Sequence, residues 1–353
     1  MPLANSSYQA LSSLGDGSES LNLAWTLDER ELLDVDLPAL LAAELADEST
    51  SLSALDRYLV QDPHGSAWLG PTVARLFGRP GWDCGVVCGA GVISLLHAVS
   101  VLALDGGAYV VGDVYPDLPH FIRQLGGRLW STEDHLRGVR ESRAPLVLVD
   151  RPSAVDDSFD GLAELRELCV QAARHGGVVV VDESYANYRS PDYSAATIAD
   201  SVDNLAVFRG LSKGYWLGGL RLAYCVCSPA LTERMTALVP PMLASSVSLR
   251  LGAAVLGLGD ITTRLRARIA EATTEAVELL TAAGLPAPIR NGSGLPHLHF
   301  DQNLAERLHP LGIIGKPQPF WSGRLGRPIE RFRLSVPLHP ARMAELHRRL
   351  RDR

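Results

Sequence analysis

The chain has 353 residues and a formal net charge of -7, with 40 Asp and Glu against 33 Lys and Arg. That balance, with no basic run, argues against nucleic acid as a partner, and the opening MPLANSSYQALSSLG has neither the basic head nor the apolar core of a signal peptide. The longest apolar stretch, residues 92–104, contains His97 and is too short to span a bilayer; the cysteines form no CxxC pair and read as free thiols in a reducing cytoplasm rather than as a metal site.

Residues 1–20 are polar and rich in Ser and Gly, a loose arm, and residues 22–25 are short and apolar. Residues 37–46 and 52–58 read as helices separated by a capping cluster at 47–51. A turn is expected at 62–65, then a helix at 71–77 with Pro71 in its first turn. From residue 86 the pattern alternates. Strands are expected at 86–88, 108–111, 128–131, 145–150, 178–182, 204–208 and 222–227, with helices at 92–104, 118–125 and 161–175 between them. Such alternation predicts an α/β fold with a mostly parallel sheet and right-handed crossovers. After Pro240-Pro241 the character changes. Long helices are expected at 245–268 and 269–283, short strands at 296–300, 312–315 and 332–336, and a closing amphipathic helix at 340–350, which suggests a smaller α+β domain.

The stretch VFRGLSKGYWLGGLRLAY at 207–224 carries Lys213, one of two lysines; the other is Lys316, and the remaining cationic side chains are arginines. A lysine amine attacks carbonyls once its site suppresses protonation, which arginine cannot do. The run VVVVD delivers Asp182 to the carboxyl end of a parallel sheet, where ligands of open α/β folds bind. There it can hold a protonated heterocycle nitrogen, or simply cap a turn with Glu183. Tyr185 follows, with a phenol able to donate to a ring oxygen. Gly89-Ala90-Gly91 stands between a strand and a helix, as a phosphate cradle or a tight turn. GAGVIS also resembles a dinucleotide fingerprint without its third glycine. Tyr115 after a strand end can stack on a flat ring or pack on its own loop. His297 and His299 alternate on one expected strand with no third metal ligand evident, and read as polar residues at a domain seam.

Together these motifs resemble the pyridoxal-phosphate enzymes of the aspartate-aminotransferase fold, fold type I, class I/II. Ser212-Lys213 followed by LGGLRLAY is similar to that family's lysine signature, and DESY after four valines to its aspartate signature. The histidinol-phosphate aminotransferase-like branch, which includes threonine-phosphate decarboxylases, is the nearest in pattern. The resemblance implies a large cofactor domain at 46–245, with an arm at 1–45 and a small domain completed by 246–353. It implies pyridoxal 5'-phosphate on Lys213 as a Schiff base, Asp182 on the pyridine nitrogen, Tyr185 on the ring hydroxyl and Tyr115 stacked on the ring. The phosphate falls to the Ala90 and Gly91 backbone, Ser212 and Arg221, with Tyr58 reaching in from the second subunit of a homodimer. Arg333 in RFRLS would grip the substrate carboxylate. Arg333 and Tyr58 can equally be surface residues.

Two departures stand out. The family's asparagine-proline loop reads DRPSAVDD here, with Ser153 aligned to the asparagine that meets the ring hydroxyl, and Gly210 replaces a threonine three residues before the lysine. The implied activity is transfer of an amino group between a small amino acid and a 2-oxo acid in the cytoplasm. A decarboxylase, eliminase or cyclase on the same cofactor is the alternative that Ser153 motivates. A dinucleotide oxidoreductase and a non-enzymatic regulator complete the possibilities.

Overall fold

The computed structural model of the chain describes residues 20–27, 29–47, 61–155, 159–289 and 294–351. Tyr58 and the helix expected at 52–58 lie outside them. In chain order the strands are β1 (Leu21–Asn22), β2 (Gly85–Gly89), β3 (Ala108–Val111), β4 (Asp113–Val114), β5 (Leu129–Trp130), β6 (Leu146–Asp150), β7 (Val178–Asp182), β8 (Leu205–Gly210), β9 (Ala223–Cys227), β10 (His297–Phe300), β11 (Ile313–Ile314), β12 (Lys316–Ser322) and β13 (Arg327–Ser335).

Seven of them form one sheet in the order β2-β9-β8-β7-β6-β3-β5. Only β9 runs against its neighbours. The strands are almost continuously apolar because both faces are covered. Successive side chains of one strand enter opposite layers: Val179 and Val181 join the core that contains Leu165 and Leu168, while Val178 and Val180 join the core that contains Leu95 and Ile122. All four valines are at most 1% exposed, each stabilising the fold by roughly 1.5–3 kcal/mol.

A second sheet, antiparallel, has the order β10-β13-β12-β4. β4 follows β3 after one residue and pairs with the end of β12, Trp321 opposite Val114 and Ser322 opposite Asp113. The small sheet is therefore stitched to the large one. β1 pairs with β11 in a third, two-stranded sheet.

Three expectations change. The helix expected at 71–77 is Ser66–Leu76, and Pro71 lies inside it. Its start is set by Asp62, whose carboxylate accepts the N–H groups of Ala67 and Trp68 at 2.9 and 3.1 Å; that cap offsets the single backbone bond Pro71 forfeits. The helices expected at 245–268 and 269–283 break earlier, as Ser246–Gly257 and Thr263–Ala282. Gly259 at φ +77° ends the first, and Asp260 accepts the N–H of Thr262 and pairs with Arg266 at 2.7 Å at the start of the second. The strand expected at 312–315 is the two-residue β11, and the longer β12 that follows it is unannounced in the sequence, disguised by Pro317 and Pro319. Those prolines sit where β12 has β13 alone as partner, so the missing N–H groups cost no second ladder.

Candidate active site

The carboxyl ends of β6, β7 and β8 supply Asp150, Asp182 and Gly210 to one cavity of about 360 Å³. The same wall holds Gly91, Tyr115, Tyr185, Ser212, Lys213, Arg221 and Arg333. The sequence thus brings nearly all its candidate residues to one place from elements spread over 240 positions and more.

Asp182 is 8% exposed, and burial raises its pKa. Its Oδ1 accepts the N–H and hydroxyl of Ser184 at 2.9 and 2.6 Å. Oδ2 has no donor among the described residues, so it is the oxygen available to a ligand. A buried carboxylate in this state gains from a cationic partner. Burial also raises the Tyr185 phenol, with Arg333 lowering it and Asp150 and Asp182 raising it further. Lys213 Nζ lies 5.8 Å from the centre of the Tyr185 ring.

The glycine turn meets the lysine loop through Arg221. Gly91 has φ +83° at the start of the helix Val92–Ser100, and a Cβ there would run into the Arg221 guanidinium. Only glycine keeps this concave spot open, where helix N–H groups, helix dipole and guanidinium all favour an anion. Arg221 Nη2 also donates to the Ala90 carbonyl at 3.3 Å. Ala90 itself does not line the cavity. The lysine loop is held in unusual backbone conformations: Gly214, Trp216 and Arg221 have φ of +76°, +57° and +50°. Two non-glycine residues in that region within six positions mark a segment whose shape is imposed by its surroundings.

Those surroundings are a buried ionic network absent from the sequence reading. Glu183, fully buried, accepts from Arg151 at 3.1 Å, from Arg209 at 2.8 Å, from Ser194 at 2.5 Å and from the Ala195 N–H at 2.6 Å. Arg209 also donates to Asn187 Oδ1 at 2.7 Å, and Asn187 Nδ2 donates to the carbonyls of Gly210 and Lys213 at 2.7 and 2.8 Å. The residue after Asp182 thus anchors the loop that carries Lys213.

Ser153 does not reach the cavity. It is 4% exposed, its hydroxyl accepts the Val155 N–H at 3.3 Å, and the wall beside it is Asp150 and Pro152. Asp150 stands in register with Asp182 on the adjacent strand, and its carboxylate accepts the Tyr115 N–H at 2.6 Å. A carboxylate, rather than the expected serine hydroxyl, therefore lines the cavity here. Gly210 does line the cavity, and a Cβ at that position would approach Val92 Cγ2 to 3.1 Å, a tight contact for any side chain there. Asp117, also on the wall, has its carboxyl raised to about 6 by burial and then by Asp182.

A second chamber of about 360 Å³ shares Trp25, Ser212, Lys213 and Arg333 with the first and adds Glu29, Tyr188, Trp216 and His297. His297 and His299 are both 4% exposed on β10. His297 meets Thr26 Oγ1 at 3.0 Å through Nε2, and its Nδ1 is buried without a partner among the described residues. Burial and nearby Arg333 hold both imidazoles neutral, His299 down to about 3. Among the described residues no group of three or more His, Cys, Asp or Glu could hold a metal, and no helix is long and apolar enough to cross a membrane.

The histidinol-phosphate aminotransferase of Schizosaccharomyces pombe is 40% identical over 75 residues, which is 21% of this chain and 20% of that enzyme; the alignment spans only about a fifth of its length. Two solved structures share the fold. The histidinol-phosphate aminotransferase from Clostridium acetobutylicum superposes with a TM-score of 0.74 at 12% identity, covering 94% of this chain and 98% of that one. The L-threonine-O-3-phosphate decarboxylase from Porphyromonas gingivalis superposes with a TM-score of 0.69 at 15% identity, with the same coverage. The profile of the aminotransferase class I and II family matches residues 33–309, a span that includes the whole seven-stranded sheet, Asp182 and Lys213. With the fold, the lysine loop and the aspartate strand all in place, the chain belongs to the class I and II aminotransferase family.

Proposed function

We propose that this chain is a pyridoxal-phosphate-dependent aminotransferase that moves an amino group between a small amino acid and a 2-oxo acid. The observation that carries the reading is that Lys213 and Asp182, from different elements, face the same cavity. The wall fits the cofactor: Asp182 Oδ2 is available for a protonated ring nitrogen, and the space kept open by Gly91 beside Arg221 suits a phosphate. When bound, pyridoxal phosphate supplies an electron sink for the bond broken at the substrate α-carbon.

The protein's residues do the rest. Lys213 Nζ would hold the cofactor and would take and return the proton at the substrate α-carbon. Asp182 keeps the ring nitrogen protonated. Tyr185 would donate to the ring oxygen, and Tyr115 would cover the ring. Ser212, Arg221 and the Gly91 amide hold the phosphate. Arg333 binds the substrate carboxylate through its forked guanidinium. The reading includes a cytoplasmic enzyme, supported by five free cysteines, and a homodimer that shares its active sites, which sedimentation would test.

A decarboxylase, eliminase or cyclase remains the second reading, because Ser153, aligned with the family's ring-hydroxyl asparagine, does not line the cavity while Asp150 does. Absorption separates the two. Adding an amino acid without oxo acid should bleach the cofactor band, and an oxo acid should restore it. Spontaneous recovery while the amino acid disappears would move the assignment to the second reading. Lys213→Ala should remove the band and turnover together, and retained turnover would refute both.

A further inference from the structure

The two lysines of the chain, 103 positions apart, line the same cavity. Lys316 lies on β12 directly opposite Arg333 of β13, which in turn lies opposite His299 of β10. Three basic side chains thus stand in one row across the small sheet, with about 5 Å between adjacent Cβ atoms. Lys316 is only 4% exposed. Its side chain makes no ion pair or hydrogen bond among the described residues, and the indole ring of Trp25 lies 4.6 Å from its Nζ. Everywhere else this chain uses arginine where it needs fixed positive charge. A buried, unpaired lysine beside an arginine is therefore a choice of a titratable amine over a permanent cation.

We infer that Lys316 is a second carbonyl-reactive amine of this site, forming a reversible imine with a 2-oxo acid whose carboxylate rests on Arg333. The inference rests on the reading of Lys213 as the cofactor lysine, which leaves Lys316 as the remaining side-chain amine. Burial, with Arg333 and Lys213 adding to it, pushes the Lys316 pKa down to about 6. The other charged groups around it do not reverse this: His299 is held neutral, and the carboxylates Asp117, Asp150 and Asp182, which line the same cavity, do not raise the amine. At neutral pH the amine is free of its proton and nucleophilic, as for a lysine desolvated beside another cation. The Nζ lone pair forms the new C–N bond at the carbonyl carbon. The C–O bond breaks, the oxygen leaves as water with both amine hydrogens, and nothing is oxidised or reduced. The imine keeps the acceptor in the site, and its nitrogen must take up a proton before an incoming amine or hydride adds to it.

The test uses the holoenzyme after borohydride has fixed the cofactor to Lys213. That protein cannot transaminate, so another amine must account for any imine chemistry. It is incubated with glyoxylate and cyanoborohydride across a pH series, digested and mapped by mass spectrometry. A carboxymethyl group on Lys316 is expected, with labelling rising through about pH 6 as the amine loses its proton. In parallel, the reduced holoenzyme should exchange ¹⁸O from the carbonyl of pyruvate at roughly tenfold or more above the solution rate, and Lys316→Arg should not. Labelling that rises only near the ordinary lysine value, or exchange unaffected by Lys316→Arg, overturns the inference. Absence of the cofactor mass on Lys213 would instead overturn the proposed function, a separate readout in the same digest.

Discussion

Asn187 and Lys213 are joined through the backbone: the Asn187 amide donates to the Lys213 carbonyl at 2.8 Å and, with the same nitrogen, to the Gly210 carbonyl at 2.7 Å. The side chain spans both ends of the turn that presents the reactive amine. Asn187→Ala should leave two carbonyls and one Arg209 N–H group unsatisfied and cost about 1–3 kcal/mol of stability. Because the amine remains, the cofactor band should persist while kcat falls. A positioning role predicts rescue by Asn187→Gln in part and by Asn187→Leu not at all; equal kcat in all three variants would refute it.

Glu183 serves two buried guanidiniums at once, Arg151 and Arg209. Glu183→Gln keeps the shape and removes the charge. It should destabilise the protein by about 3–5 kcal/mol, since two buried cations lose their counter-charge. Urea denaturation with an unchanged slope would show this as a lower midpoint. A loss under 1 kcal/mol would mean that the carbonyls around Arg151 suffice to neutralise it.

Acid should weaken the fold through β10. His297 and His299 have folded-state pKa values below their ordinary value of 6.5, His299 at about 3. The unfolded chain therefore takes up protons first as pH falls. Stability from the neutral imidazoles is complete above about pH 6.5 and is lost as pH drops from there toward 3. The double variant His297→Asn, His299→Asn should flatten thermal stability between pH 7 and pH 5 relative to the parent. Parallel profiles would show that neither imidazole is held neutral.

Gly210→Thr tests whether the missing threonine reflects packing. Its Cβ would sit 3.1 Å from Val92 Cγ2, and the methyl and hydroxyl beyond it have less room still. The variant should lose about 1–3 kcal/mol and bind the cofactor more weakly. Val92→Ala in the same protein should recover most of the loss, and no recovery would place the strain elsewhere.

Legibility from sequence followed the range of the interactions involved. Asp182 was readable because four valines and a turn announce a buried strand end, and Lys213 because glycines and a serine frame it within a few residues. Lys316 was visible as a rare residue, but its role depends on ladder register with Arg333, seventeen positions on, along a strand that Pro317 and Pro319 disguise. Glu183 meets Arg151 and Arg209 across 32 and 26 positions, and nothing local distinguishes those arginines from the rest. That Asp150 and not Ser153 lines the cavity has the same origin. Which side chain faces the cavity at the end of a strand follows from how the chain turns after it, and DRPSAV offers no periodicity to fix that.

The pairing of β4 with the tip of β12 gives the site a mechanical property. Asp113 and Val114, paired with Ser322 and Trp321, immediately precede Tyr115, whose N–H is fastened to Asp150. Any rocking of the antiparallel sheet, with Lys316 and Arg333 aboard, must therefore pivot at these two residues or carry Tyr115 along. The proposed carboxylate grip at Arg333 and the proposed ring cover at Tyr115 are thus joined through one short strand pair.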